Sequence, residues 1–219
     1  MIKRNDFLKI EFTGRIKDGD VFDSTRKEDL EKMHSGHNHS IESQPFIFCI
    51  GHKMFLGALE DFLIGKELGK DYEVELSPED AFGKRESSLI QRIPLKVFRD
   101  QKLNPVQGAS FNFDGRVGRV LAVSGGRVMT DFNHPLSGKN LVYTIRVIET
   151  VNDLNEKIQS LNDFFFKKKF KFEVKDKNLF IEADENYKKF IELFKDKYKE
   201  LIGLDVEVKK SLNEGKNSE

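Results

Sequence analysis

The stretches "FLKIEFTGRI" (Phe7–Ile16), "PFIFCI" (Pro45–Ile50) and "DYEVEL" (Asp71–Leu76) set apolar residues at the two-residue period of strands. Leu8, Ile10 and Phe12 fall on one face of the first, and "KDGD" is a turn before "VFDST". Between the second and third, "GHKMFLGALEDFLIGKELG" changes period. Phe55, Leu56, Leu59, Phe62 and Leu63 recur at three and four residues, which predicts one short helix with a single buried face, ending by Gly69. "RKEDLEKMHSGHNHSIES" reads as a short helix followed by a polar loop.

From Arg85 the texture shifts to short β-rich pieces joined by Gly and Pro turns, "SSLIQRIPLKVF", "ASFNF" and "GRVLAVSGGRVMTDF", with "SGG" a hairpin turn. "LVYTIRVIE" (Leu141–Glu149) then resumes the strong alternation, with Leu141, Tyr143, Ile145 and Val147 on one face. A strand of that quality needs partners, and the N-terminal strands are the natural ones. The expected organisation is therefore a discontinuous parent domain, 1–84 plus 135–150, interrupted by an insert at 85–134. Past Thr150 a small α+β unit is expected over 151–219. It comprises a helix with the stripe Leu154, Ile158, Leu161 and Phe165, a hairpin across "KDK", one helix from Tyr187 to Leu201, and a strand "LDVEVK". About 60 ordered residues make a marginal core, so docking or a homodimer through this unit is expected.

Composition narrows the function classes. Lys+Arg and Asp+Glu are both 37, a net charge of zero, which argues against a role in coating nucleic acid or anionic membrane. No apolar run reaches spanning length and Cys49 is the lone cysteine, so a soluble cytoplasmic protein is expected. Phe outnumbers Tyr twenty to four, which implies a phenylalanine-packed core with some rings left to line a site. His34, His37 and His39 in "HSGHNH" have the residue type of a metal site but neither its spacing nor a nearby cysteine, and a solvated loop is the expected reading. No cofactor motif is present.

Seven pieces in order carry more: "EFTG", "DGDVFDST", "PFIFCIG", "LGALEDFLIGKELG", "SPEDAFG", "LIQRIP" and "NHPLSGKNLVYTIRV". This succession, over residues 7–148, resembles the FKBP-type peptidyl-prolyl cis-trans isomerases, specifically the SlyD-like branch, and the C-terminal extension is similar to that of the long archaeal members. The resemblance implies an α+β fold, a curved antiparallel sheet around one short helix with a second β domain in the flap. It also implies an apolar proline pocket built from Phe12, Phe22, Asp23, Phe46, Phe55, Leu56, Leu59, Phe82 and Tyr143, with the Leu56 N–H donating to the ligand's carbonyl. Phe12 and Phe82 stand where many members have Tyr, and Leu59 where eukaryotic members often have Trp. The implied partners are unfolded or partly folded proline-containing polypeptides. In the insert, Leu89, Ile90, Ile93, Val97 and Phe98 are candidate client-facing residues, most of which are also expected to form that domain's own core. The alternative is a non-catalytic holdase that merely binds unfolded peptides.

Overall fold

The computed structural model describes residues 1–33 and 43–210. His34, His37 and His39 lie outside the described residues. The chain divides into two compact units, one of residues 1–15, 19–74 and 143–219 and one of residues 16–18 and 75–142. No helix among the described residues is long and apolar enough to cross a membrane.

The first unit is organised on β1 (Phe7–Ile16). Its first half pairs antiparallel with β3 (Phe46–Cys49) and its second half with β2 (Val21–Ser24), the register shifting between Gly14 and Arg15. On the other side of β1 come β9 (Leu141–Thr150) and then β4 (Asp71–Leu76). The alternation read from the sequence is the observed burial: Leu8, Ile10, Phe12, Tyr143, Ile145 and Val147 are all buried. Phe7, on the opposite face of β1, is buried as well. Lys157 of α4 (Leu154–Phe166) stands 5.2 Å from its ring, and the Val151 N–H bonds its carbonyl at 2.7 Å. Two further helices precede β4 in this unit, α1 (Lys27–Met33) and α2 (Gly57–Leu63). Helix α2 is shorter than the apolar spacing suggests. It starts after Phe55 and Leu56, and Gly65 at φ +80° turns the chain away beyond its last residue.

Helix α4 is capped by Asp153, which accepts from the Glu156 N–H at 2.7 Å, and ends at Lys167 in a left-handed conformation. The hairpin of β10 (Lys171–Lys175) and β11 (Asn178–Ala183) forms where expected, and β12 (Asp205–Lys210) joins β11 in parallel. The single helix expected over Tyr187–Leu201 is two, α5 (Glu185–Leu193) and α6 (Lys195–Ile202). At the break the Phe194 ring stacks on Phe165 at 4.6 Å and meets Phe166 edge-on at 5.6 Å, contacts that outweigh continuing the helix. Beneath it, the Tyr198 hydroxyl donates to Asn162 at 2.6 Å in a fully buried pair.

The second unit holds a four-stranded antiparallel sheet in the order β5-β8-β7-β6, from β5 (Ile90–Pro94), β6 (Ser110–Phe113), β7 (Arg116–Ser124) and β8 (Arg127–Asp131). Gly125 and Gly126, at φ +57° and +72°, make the β7–β8 turn that "SGG" announces. The segment "LKVFRD", which the sequence placed among β-rich pieces, is helix α3 (Leu95–Asp100), begun by Pro94. Its Phe98 centres a core with Val120 and Val128, closed by Ile93, Leu95, Leu103, Phe111 and Phe113.

Candidate functional site

Six aromatic rings from five segments meet at the head of α2. Phe12 of β1 lies 5.0 Å from Phe55, 6.1 Å from Tyr143 and 6.3 Å from Phe46, centroid to centroid. Tyr143 of β9 is 5.8 Å from both Phe55 and Phe22, edge-on to each. Phe46 and Phe48 of β3 stack at 5.3 Å and both reach Phe55. Phe22, Phe46, Phe55 and Leu56 keep part of their surface open to solvent, whereas Phe12 and Tyr143 are buried walls. Leu59 is buried completely, so it backs the cluster from the core and offers a ligand no exposed surface.

Backbone devices hold these rings. Gly14 is needed for the approach of two of them: a Cβ there would stand 2.9 Å from ring atoms of both Phe22 and Tyr143. The "VFDST" strand is fastened to β1 by small polar groups. Thr25 accepts from the Phe12 N–H at 2.8 Å, Ser24 donates to the Phe12 carbonyl at 2.9 Å, and Asp29 of α1 accepts from both Thr13 and Ser24. The loop that carries Phe55 is wrapped around a buried carboxylate. Glu60 of α2 accepts from the backbone N–H groups of Gly51, Lys53 and Phe55 at 2.7, 3.2 and 2.7 Å. Leu56 then caps the helix in extended conformation without a side-chain cap, and its N–H has no partner among the described residues.

Polar chemistry is sparse around the rings. Asp23 stays in contact with solvent, yet the crowding around its carboxyl raises its pKa above the ordinary aspartate value, opposed by the Ser24 N–H. Burial raises the Tyr143 phenol, and the Asp23 charge raises it further, so the hydroxyl remains a donor. That hydroxyl bonds no protein group among the described residues. Burial pushes the nearby Cys49 thiol up to about 12, with the Glu60 charge adding to it, which keeps it from acting as a nucleophile. Among the described residues no cluster of His, Cys, Asp and Glu could hold a metal ion.

Of the residues singled out from sequence, Phe12, Phe22, Phe46, Phe55 and Tyr143 come together, with Asp23 and Leu56 beside them and Leu59 in the core. Phe82 belongs to the second unit, where its ring stacks on His134 at 4.4 Å and its carbonyl accepts from Ser137. Sequence reasoning missed Phe48, Gly14, Glu60 and the Ser24–Asp29 fastening. The signal for Glu60 was present, as a carboxylate inside the apolar face of a short helix.

An antiparallel sheet wrapped on one short helix, with an aromatic bowl at the helix head, is an FKBP-like fold. A family profile described as "FKBP-type peptidyl-prolyl cis-trans isomerase" matches residues 1–96, and one described as "FKBP26, IF domain" matches residues 91–136. A "Short-type peptidyl-prolyl cis-trans isomerase" of Methanocaldococcus jannaschii is 33% identical over 147 residues, 67% of this chain and 92% of that one. The "FKBP-type peptidyl-prolyl cis-trans isomerase SlyD" of Vibrio cholerae is 31% identical over 152 residues, 67% of each chain. The "FKBP-type 16 kDa peptidyl-prolyl cis-trans isomerase" of Escherichia coli is 29% identical over 153 residues, 68% of this chain and 93% of that one. The chain belongs to the FKBP-type peptidyl-prolyl cis-trans isomerases, and it is an enzyme of that class.

Proposed function

We propose that the bowl of Phe12, Phe22, Phe46, Phe55 and Tyr143 is where this isomerase twists X–Pro bonds, and that the insert holds folding polypeptides close to it. The observation that carries the reading is the unbroken contact of these rings, 5.0 to 6.3 Å apart, at the head of the helix whose Leu56 N–H has no partner among the described residues. Amide resonance sets a barrier of roughly 18–20 kcal/mol, and uncatalysed isomerisation takes about 10–100 s. The planar amide separates charge between oxygen and nitrogen, and the twisted one has lost much of that separation. Walls of aromatic carbon solvate the planar dipole poorly, so the twisted state gains relative to it. The bowl also grips the prolyl ring while the Leu56 N–H and the Tyr143 hydroxyl supply donors for main-chain oxygens of the substrate. Tyr143 thus brings to the cluster the hydroxyl that Phe12 lacks. No proton transfer or covalent intermediate is called for.

Proline-limited refolding of a disulfide-free test protein measures this directly. The full chain is expected to raise the slow refolding rate catalytically. Gly14→Ala, which forces the Phe22 and Tyr143 rings apart, is expected to lower kcat/KM by about 10- to 100-fold with the fold retained by circular dichroism. An unchanged rate with the intact chain would sink the isomerase assignment of this site and favour the holdase. The isomerase names of the relatives weigh against that alternative.

Client binding by the insert is supported by its surface. Val97, Val106, Val117 and Val123 are exposed, while Leu89, Ile90 and Ile93 are half-buried. Phe98, only 1% exposed, belongs to the insert's core and has no surface to give. For the C-terminal segment we propose a homodimer that covers Phe190 and Leu193, neighbours on α5 that are 58% and 77% exposed. Sedimentation should show a dimer for the full chain and a monomer for the Phe190→Glu, Leu193→Glu double variant. A monomeric wild type ends this proposal.

A further inference from the structure

A groove of about 680 Å³ runs between β3 and α4 in the first unit, with Pro45, Phe46 and Ile47 on one wall and Gln159, Ser160 and Phe164 on the other. Its volume lies within the range of clefts that take ligands, about 300–1,000 Å³. Phe46 belongs to this groove and to the aromatic bowl alike, since its ring also meets Phe12, Phe48 and Phe55. Phe46 is thus a residue common to both.

The β3 wall is also an open sheet edge. In an antiparallel pair, successive residues direct their main-chain groups alternately toward the partner strand and away from it. The Ile50 N–H bonds the Asp6 carbonyl at 3.0 Å, whereas the Cys49 N–H turns away to the Met54 sulfur at 3.4 Å. Counting back, Phe48 faces β1 and Ile47 presents its N–H and C=O to the groove, where no strand of the described residues pairs with it. The opposite wall is charged as well, by Glu156, Asp163, Lys167 and Lys169. Lys9 donates to Glu156 at 3.0 Å, Gln159 bonds Asp163, and the Lys167 ammonium lies 5.8 Å from the Phe164 ring. Pro45, Phe46, Ile47 and Phe164 set apolar surface beside the unpaired strand edge, where an added strand is held through its main chain.

We propose that this groove is a second binding site for the client: an extended segment adjoining the bound proline adds to the edge of β3 at Ile47 and lies against Phe164. The inference rests on the bowl being the prolyl site. It gives this chain a way to hold a substrate through residues other than the proline, so that length is recognised as well as ring.

The test uses the full chain and two substrates with the same Ala-Leu-Pro-Phe centre, a tetrapeptide and a 16-residue peptide flanked by apolar residues, followed by NMR exchange. Two variants close the groove: Phe164→Glu, and Gln159→Trp, at a half-buried position on the groove wall. Each is expected to raise KM for the long peptide about five- to tenfold and to leave kcat/KM for the tetrapeptide within about twofold of wild type. Equal effects on both substrates, or none on the long one, overturn the groove while the isomerase reading stands. A wild type that turns over neither peptide overturns the isomerase reading instead. A change in sedimentation with no change in long-peptide KM would assign the groove to a second copy and also overturn the proposal.

Discussion

Replacing Glu60 with Ala is expected to remove about 3–6 kcal/mol of stability, counting its two shorter hydrogen bonds as charge-assisted at about 1.5–3 kcal/mol each, and nearly all isomerase activity. The carboxylate is 2% exposed and accepts three backbone N–H groups, from Gly51, Lys53 and Phe55. Without it those donors remain in a space that water does not readily reach, and each carries its desolvation penalty. His52, bonded to Asn5 at 2.9 Å, and the buried Met54, whose sulfur accepts from the Cys49 N–H, tie the loop at other points but leave these three N–H groups to Glu60. Gly51 and Lys53 both sit at positive φ, +93° and +57°, and Lys53 has a Cβ that disfavours that conformation. Once the loop relaxes, Phe55 leaves the ring cluster and the Leu56 N–H loses its aim. Glu60→Gln retains an acceptor oxygen and is expected to fall between wild type and Ala. Urea unfolding and tetrapeptide turnover measure the two consequences separately. A loss below about 1 kcal/mol in the Ala variant would mean that the loop is held by other means.

The part of this architecture legible in the sequence is the part that repeats. Strands β1 and β9 carry strict two-residue alternation, and their buried faces came out residue for residue in Leu8, Ile10, Phe12, Tyr143, Ile145 and Val147. What failed had tertiary causes. Burial of Phe7 depends on α4, more than 140 residues later in the chain, which no local period encodes. The break at Phe194 reflects a ring stack on Phe165, and α3 forms because its Phe98 completes a core with Val120 and Val128. The site divides the same way. Five of the six clustered rings, all but Phe48, were named through the order of short motifs, because those motifs carry them. Glu60, Gly14 and the Asp29 acceptor went unnamed, because a carboxylate or glycine shows its role only once the N–H groups and rings around it are placed.

Excising the insert is expected to separate the two halves of the enzyme's work. Residues 86–133, replaced by a Gly-Gly turn, take away a piece with its own core of Phe98, Val120 and Val128. The two chains that lead into it are stapled together at the base. The Glu86 N–H bonds Asn133 at 2.8 Å, Asn133 returns a bond to the Glu86 carbonyl at 2.9 Å, and the Gly138 N–H bonds the Gly83 carbonyl at 2.8 Å. A two-residue turn therefore has a short gap to span, and the Phe82–His134 stack stays in the chain. With the bowl as the proposed site of short substrates, turnover of a tetrapeptide should stay within about threefold of wild type. Catalysis of proline-limited refolding should fall about 10²-fold, because an insert that tethers the client raises the local concentration of its prolines at the bowl by about 10²–10⁴. Suppression of aggregation should be lost in the same variant, since the exposed valines go with the insert. If refolding catalysis and aggregation suppression both survive the excision, the clients are held elsewhere on the chain, and the groove between β3 and α4 becomes the first place to look.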